Sequence, residues 1–202
     1  MYRNKPAALG TYLIAIGVSL LLASSALVIY NFLEDHQAQL NSNEVIRKLP
    51  IADEKKGEKG EDVPLYITNP DIEMPTIEID RHRYIGRIDI LPLGLSLPVM
   101  SEWSYPGLKI SPCRYSGSAY ENNLVIIAHN YRSHFGNLKN LNSGDFIVFT
   151  DIDGNVFQYI VAEIEQLQPS DTDKITTEDR ALTLITCTMD GEHRVAVRCM
   201  AG

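Results

Sequence analysis

Three residues of the sequence carry the side chains that covalent acyl transfer needs. Cys187 ends a run of β-forming residues, His129 ends an earlier run of the same kind, and Arg194 begins the run that follows Cys187. A cysteine thiolate attacks an amide carbonyl and forms a thioester that an amine can resolve. An imidazole can move the protons of both steps, and a guanidinium that keeps its charge can stabilise an oxyanion. Cys187, His129 and Arg194 are therefore candidate catalytic residues, although a single cysteine at a strand end is more often a small buried hydrophobic residue.

The other cysteines and histidines have structural interpretations. Cys199 continues the alternation of Val195 and Val197 and should face the core, and Cys113 is also expected to be structural. A Cys113–Cys199 disulfide stays an open alternative, because sequence cannot show whether two residues are close. His134 lies five residues after His129, a spacing that fits no standard zinc pattern. No metal and no other cofactor is expected.

Short β-rich runs alternate with turn signals from about residue 70 onward. This spacing favours a closed β-barrel or a sandwich. Asp153-Gly154 is a hairpin signal between two of the runs. Short helices are expected at 102–108, 135–141 and 173–180. The predicted strands are 76–80, 84–90, 124–129, 145–150, 155–165, 182–187 and 194–199.

A second hairpin signal, Asp190-Gly191, predicts how the last two strands pair. A two-residue turn at this point places Cys187 opposite Arg194, and it places Thr183 opposite Arg198. Directly opposed residues have Cβ atoms about 5 Å apart, whereas Arg198 lies roughly 13 Å further along the strand. Arg194 is therefore the better candidate for contact with a group bound at the sulfur.

Two stretches of the sequence resemble signatures of the sortase family. Thr183-Leu-Ile-Thr-Cys187 with the following Arg194 is similar to the strand that ends in the family's nucleophile and to the arginine that begins the next strand. Asn123-Leu-Val-Ile-Ile-Ala-His129-Asn130 resembles the strand that carries the catalytic histidine, and its usual continuation matches Phe135, Leu138, Leu141 and Gly144-Asp145.

The resemblance covers roughly residues 70–202 and implies the sortase β-barrel with a few short helices. It also implies that Cys187 is the nucleophile, that His129 is the acid and base, and that Arg194 supports the substrate and its oxyanion. The reaction implied is cleavage of a C-terminal sorting signal of the Leu-Pro-x-Thr-Gly kind between Thr and Gly, with transfer to an amine. Surface proteins with such signals are the expected substrates.

The acceptor amine lies either on a peptidoglycan precursor or on a pilin lysine. Pilus-building sortases often carry a lid with an Asp-Pro-aromatic motif and a second membrane helix near the C-terminus. The nearest stretch here, Asn69-Pro-Asp-Ile72, lacks the aromatic residue, and the sequence stops soon after its last predicted strand. Cell-wall anchoring is therefore favoured, although the short Cys-to-Arg loop leaves the subclass open. A hydrolytic cysteine protease and a non-catalytic membrane-tethered binding module remain alternatives.

The N-terminal region predicts a membrane anchor. No charged residue lies between Pro6 and Leu33, and the apolar part would span roughly 33 Å as a helix. Small residues at Ala23-Ser-Ser-Ala26 would suit a cleaved signal peptide, but the apolar run continues to Leu33 and favours an uncleaved anchor. Basic residues precede the helix and acidic residues follow it, which predicts a cytoplasmic N-terminus and an extracellular catalytic domain in a single-pass protein of a Gram-positive cell membrane.

Charge and composition complete the organisation of the 202 residues. Only two basic residues precede Glu34, so the remaining 16 basic and 26 acidic residues give a net charge of −10, which argues against nucleic acid as a partner. A charged, glycine-containing stretch at 53–62 reads as a mobile spacer, whereas 34–49 can continue the helix out of the membrane. The expected regions are a cytoplasmic N-terminus at 1–6, an anchor at 7–33, a polar extracellular stalk at 34–69 and a catalytic domain at 70–202.

Overall fold

The computed structural model describes residues 7–50, 64–176, 180–188 and 191–202. The chain divides into two compact units, Met1–Gln37 and Ala38–Gly202. The first helix, α1, covers Ala7–Lys48, so the expectation that the anchor helix continues beyond residue 34 is confirmed. The charged stretch at 53–62 and the N-terminus at 1–6 lie outside the described residues.

The part of α1 that belongs to the first unit is apolar and exposed. Large side chains such as Leu20, Leu27 and Phe32 are each more than 60% exposed. Among the described residues, one helix is long and apolar enough to cross a membrane. This helix is the Gly10–Lys48 part of α1. An apolar surface of this size is unfavourable in water, so the helix is suited to a lipid environment.

The last part of α1 packs within the second unit. Ala38, Ser42, Val45 and Leu49 are buried, and their spacing of four, three and four residues forms one stripe along a helix. Val45 and Leu49 join a cluster that contains Tyr84, Met100 and Cys113. The packed unit thus begins at Ala38, earlier than the boundary at residue 70 expected from the sequence, because widely spaced buried positions among polar residues give a weak signal.

Within the described residues, nine strands form a single sheet that closes into a barrel. The strand order is β1-β2-β3-β4-β5-β8-β9-β7-β6, and pairing of β2 with β6 closes eight of the strands while β1 extends β2. The strands are β1 Ile77–Ile79, β2 His82–Ile90, β3 Leu95–Met100, β4 Cys113–Ser116, β5 Leu124–Ile127, β6 Phe146–Asp151, β7 Val156–Leu167, β8 Leu182–Cys187 and β9 Arg194–Ala201. The expected closed β-barrel is confirmed.

A glycine allows the closure. The register of β2 against β3 shifts between Tyr84 and Gly86, where β2 begins to pair with β6. A Cβ atom at Gly86 would collide with the carbonyl oxygen of Thr150, so only glycine permits this approach. The short helix α2, Leu65–Thr68, precedes β1. The strands are connected by α3, Tyr105–Leu108, and by 3₁₀ turns at Leu91–Leu93, Leu138–Asn140 and Thr172–Lys174.

Candidate active site

The parallel pairing of β5 with β8 brings His129 towards Cys187. Leu124 pairs with Leu182 and Ile127 pairs with Ile185, a constant offset along the two strands. The N–H of Ala128 donates to the carbonyl of Ile185 at 3.0 Å, so the ladder continues past the last paired residue of β5. Extending the same offset by one more residue places His129 beside Cys187.

The antiparallel pairing of β8 with β9 brings in Arg194. Cys187 is directly opposite Arg194, and Thr183 is directly opposite Arg198, as the sequence predicted. The ladder continues through Thr188, whose N–H donates to the carbonyl of His193 at 3.0 Å. Asp190 of the predicted two-residue turn lies outside the described residues, and Gly191 has a positive φ of 74°, which suits a tight turn.

The three candidate side chains share the outer face of the barrel wall. Alternate residues of β5, β8 and β9 point inward to the core, and the residues between them form a separate outer cluster. His129, Cys187 and Arg194 each lie two residues from a member of this cluster, so they project from the same face, and all three are partly exposed. A substrate can therefore reach them from solvent. The cluster consists of Val125, Leu167, Ile185 and Ala196, with Tyr115, Ile127 and Ile175 at its margin.

A tight turn follows His129 and holds its ring. The imidazole stacks on Tyr131, with ring centroids 4.8 Å apart and ring planes inclined by 28°. The N–H of Phe135 donates to the carbonyl of His129 at 3.2 Å, and the N–H of Gly136 donates to the carbonyl of Tyr131 at 2.8 Å. A Cβ atom at Gly136 would collide with the carbonyl of Asn130, so the turn requires glycine there.

Two side-chain hydrogen bonds connect the ends of β5 and β8. The hydroxyl of Thr186, which faces the barrel interior, donates to the carbonyl of Ala128 at 3.0 Å. The amide of Asn130 donates to the carbonyl of Thr188 at 3.2 Å. Both bonds flank the His129–Cys187 pair. The sequence analysis did not identify them, although a threonine on an otherwise apolar face signals a hydroxyl that needs a partner.

Arg194 lies at the mouth of the hairpin. Its Nη1 donates to the carbonyls of Gly191 at 3.3 Å and His193 at 3.1 Å. The side chain is partly exposed, so exchanging these carbonyls for a substrate oxygen does not require burial of a new charge. A guanidinium in this position can donate to an oxygen that develops negative charge near Cys187.

Arg198 has a structural role instead. It is 3% exposed, and its Nε donates to the Glu165 carboxylate at 2.7 Å. Its Nη1 donates to the Thr183 hydroxyl at 3.2 Å and to the carbonyl of Ile175 at 3.3 Å, while Nη2 donates to the carbonyl of Lys174. These bonds tie the loop after β7 to β8 and β9. Such a buried and engaged guanidinium is poorly placed to serve a substrate.

Cys187 differs from the other two cysteines in its surroundings. All three cysteines are free thiols, so the structure contains no Cys113–Cys199 disulfide. Cys113 and Cys199 are fully buried, and this burial raises the pKa of each thiol to about 12. Neither can supply a useful amount of thiolate near neutral pH. Cys187 is partly exposed and is the cysteine that a substrate can reach.

A cleft lies beside β4, the strand that neighbours β5. Its volume is about 440 Å³, and Trp103 and Tyr115 supply aromatic walls with ring centroids 5.9 Å apart. Tyr115 also packs against the outer cluster, so one wall of the cleft adjoins that cluster. The remaining lining residues are Ser101, Glu102, Arg114, Ser116 and Gly117.

Comparison with known proteins gives consistent results. A family model described as the sortase domain matches residues 88–201. Sortase A of Bacillus anthracis is 24% identical over 179 residues, covering 85% of each chain. The solved structure of a Clostridium perfringens Sortase D5 transpeptidase has a TM-score of 0.58 at 23% identity, covering 83% of this chain and 99% of that one. A Clostridium perfringens sortase C, solved with a C-terminal cell wall sorting motif, has a TM-score of 0.52 at 23% identity, covering 59% and 70%.

At this level of identity the solved structures establish the shared fold. The family model goes further, because it matches more than half of the chain and includes β5, β8 and β9. The chain therefore belongs to the sortase family of cysteine transpeptidases.

Proposed function

We propose that this protein is a membrane-anchored sortase that cleaves a Leu-Pro-x-Thr-Gly-like sorting signal and transfers the acyl group to an amine of a cell-wall precursor. The observation that carries the proposal is the register of three neighbouring strands. Extended by two residues, the register of β5 and β8 puts His129 beside Cys187, and the register of β8 and β9 sets Arg194 opposite Cys187. Covalent acyl transfer needs a nucleophile, a proton carrier and an oxyanion donor together.

The first half-reaction forms a thioester. The Cys187 thiolate attacks the threonine carbonyl carbon, and the carbonyl oxygen becomes an oxyanion that the Arg194 guanidinium stabilises. When the C–N bond to glycine breaks, the imidazolium of His129 gives its proton to the leaving amine. The products are a thioester on Cys187, a free glycine amine and a neutral His129.

The second half-reaction reverses the proton flow. An incoming amine attacks the thioester carbonyl and loses a proton to His129, and the sulfur leaves as a thiolate. After the new amide has formed, Cys187 is again a thiolate and His129 is again protonated, as at the start. An amine competes well with water for a thioester, which makes transfer more suitable than hydrolysis at this site.

The cleft beside β4 is the proposed binding site of the sorting signal. Its aromatic walls, Trp103 and Tyr115, offer apolar surface for leucine and proline side chains. Trp103 is 41% exposed, so its ring is accessible to a ligand. A peptide lying there would run alongside β5 towards His129.

The acceptor and the location follow the sequence expectations. The sortase C relative was solved with a sorting motif, which supports substrates of this class. We assign the acceptor amine to a peptidoglycan precursor, because the described turn at 69–72 contains no aromatic residue of the pilus-lid type. The apolar part of α1 anchors the protein as a single-pass membrane protein, with residues 1–6 in the cytoplasm, 34–69 and the catalytic domain outside, and no nucleic-acid partner.

Product analysis tests this proposal. The full-length protein in detergent micelles is incubated with a Leu-Pro-x-Thr-Gly peptide, with and without a glycine-based amine, and the products are identified by mass. The expected result is an amide joining the threonine to the added amine. If the only product, even with amine present, is a peptide that ends in a free threonine carboxylate, the protein is a hydrolytic protease. No cleavage of any peptide in a sorting-signal library would indicate a binding module.

A further inference from the structure

A buried polar pair connects the last part of α1 to the barrel. Ser42 is 1% exposed and His134 is completely buried. The Ser42 Oγ lies 3.3 Å from Nε2 of His134 and 3.4 Å from the carbonyl oxygen of Ile110. A hydroxyl has one proton and two lone pairs, so Ser42 can donate to Ile110 while it accepts from His134 Nε2–H.

His134 belongs to the turn that holds the candidate catalytic histidine. Its N–H donates to the carbonyl of Tyr131 at 3.0 Å, and its ring packs on the ring of Tyr131 with centroids 5.6 Å apart. The ring of Tyr131 also stacks on the ring of His129, with centroids 4.8 Å apart. A continuous series of contacts therefore runs from Ser42 through His134 and Tyr131 to His129.

The choice of residue at position 42 supports a role beyond packing. The neighbouring members of the buried stripe, Ala38, Val45 and Leu49, are apolar, and apolar contact alone would hold the helix. Burying a hydroxyl and an imidazole is unfavourable unless the two are hydrogen-bonded in one geometry. The pair therefore fixes the position of the helix against the turn, and with it the orientation of the His134 ring.

We propose that residues 38–48 of α1 position His129 for proton transfer, with Ser42, His134 and Tyr131 as positioning residues. The helix that carries the membrane anchor thus also completes the active site. This inference rests on the proposed function, because it assigns proton transfer to His129. Small misplacements of a reacting group reduce turnover strongly, so the effect should appear in kcat.

The test compares two buried serines in the full-length protein in detergent micelles. Ser42→Ala removes the bond to His134. Ser111→Ala is the matched control, since Ser111 is also buried and its hydroxyl donates to the carbonyl of Pro98, outside the series. We expect Ser42→Ala to lower kcat by about tenfold with KM within about twofold. Ser111→Ala should lower the melting temperature about as much as Ser42→Ala does, but it should retain kcat.

A second pair of variants addresses the ring stack. Tyr131→Phe keeps an aromatic ring beside His129 and should retain most of kcat, whereas Tyr131→Leu should lower it as Ser42→Ala does. Equal losses of kcat in Ser42→Ala and Ser111→Ala, or in Tyr131→Phe and Tyr131→Leu, would overturn the proposal, because they would reflect stability alone. An unchanged kcat in Ser42→Ala would overturn it as well.

A substrate-free measurement separates this inference from the proposed function. Stacking on Tyr131 shifts the ring-proton NMR signals of His129, which can be assigned with a His129→Gln variant. We expect Ser42→Ala to move these signals towards unstacked values and Ser111→Ala to leave them in place. If no peptide is a substrate, the proposed function fails, while the NMR comparison still decides whether Ser42 controls the His129 ring. Unchanged signals in Ser42→Ala overturn the positioning role.

Discussion

Cys187 and Arg194 lie directly opposite each other across the antiparallel ladder of β8 and β9. Opposed residues in such a ladder have Cβ atoms about 5 Å apart, within reach of a guanidinium and a carbonyl bound at the sulfur. Arg198 has the same side-chain chemistry and the same face, but it is opposite Thr183 and is buried. Two arginines of one strand thus have separate roles that mutation can distinguish.

Replacing Arg194 should affect catalysis and leave the fold intact. Arg194→Ala removes the oxyanion donor, and we expect turnover to fall by at least about a hundredfold. The side chain is partly exposed and bonds only turn carbonyls among the contacts described, so the melting temperature should change little. Steady-state kinetics on one sorting peptide and thermal unfolding measure both effects. A near-normal kcat would remove Arg194 from the site.

Replacing Arg198 should have the opposite pattern. Arg198→Ala leaves the Glu165 carboxylate and the carbonyls of Lys174 and Ile175 without the guanidinium that they bond. We expect a loss of roughly 2–4 kcal/mol of unfolding free energy, below the cost for a completely buried pair because Glu165 is partly exposed. Turnover per folded molecule should fall far less than in Arg194→Ala. A more severe kinetic loss in Arg198→Ala would contradict the assignment of roles.

Much of this arrangement could be predicted from sequence because it depends on local patterns. The seven predicted strand runs correspond to β1, β2 and β5 to β9, and the hairpin signal at Asp190-Gly191 was enough to predict that Cys187 pairs with Arg194. Alternation also separated the core face of β8 and β9 from the outer face. Period and turn chemistry are encoded within a few residues, so they can be read directly.

The remaining features depend on contacts between distant residues or on weak local signals. Strand β3 was missed because Pro98 interrupts it, and the structure tolerates this proline because β3 pairs with β4 only at Met100 and Cys113. Strand β4, Cys113–Ser116, is short and polar. The contact of Ser42 with His134 joins residues 92 positions apart, and no local pattern signals it.

Thiol labelling should distinguish Cys187 from the two buried cysteines. At pH 8, an alkylating reagent should modify the folded protein at Cys187 only, because a thiol with a pKa of about 12 is almost entirely protonated there and Cys113 and Cys199 are buried. All three should react after denaturation. Mass mapping of the labelled peptides measures the selectivity. Equal labelling of Cys199 in the folded protein would contradict the burial described above.

The raised thiol pKa values also predict a loss of stability at alkaline pH. The folded state keeps the protons of Cys113 and Cys199 up to about pH 12, whereas the unfolded thiols lose them near pH 9. The unfolded state therefore binds fewer protons in this window, and stability falls as pH rises through it. Between pH 8 and pH 10, each thiol should lower the free energy of unfolding by about 1.4 kcal/mol. Urea unfolding at both pH values, with Cys199→Ala as the comparison, should show a smaller decrease in the variant.

The membrane topology can be checked on intact cells. We expect the full-length protein to remain in the membrane fraction, because α1 includes an apolar segment long enough to span a bilayer. External protease should remove epitopes placed beyond Glu34 and should leave an epitope at the N-terminus intact. Protection of the barrel from external protease would indicate the opposite orientation and contradict this topology.

The most direct test of the account is the identity of the acylated residue. A sorting peptide is incubated with the full-length protein without amine, the reaction is stopped with acid, and the adduct is located by mass spectrometry after digestion. The account predicts a thioester on Cys187 that disappears on addition of amine and is absent in Cys187→Ala, with Cys113→Ala and Cys199→Ala still forming it. An adduct on Cys113 or Cys199, or undiminished turnover in Cys187→Ala, would contradict it.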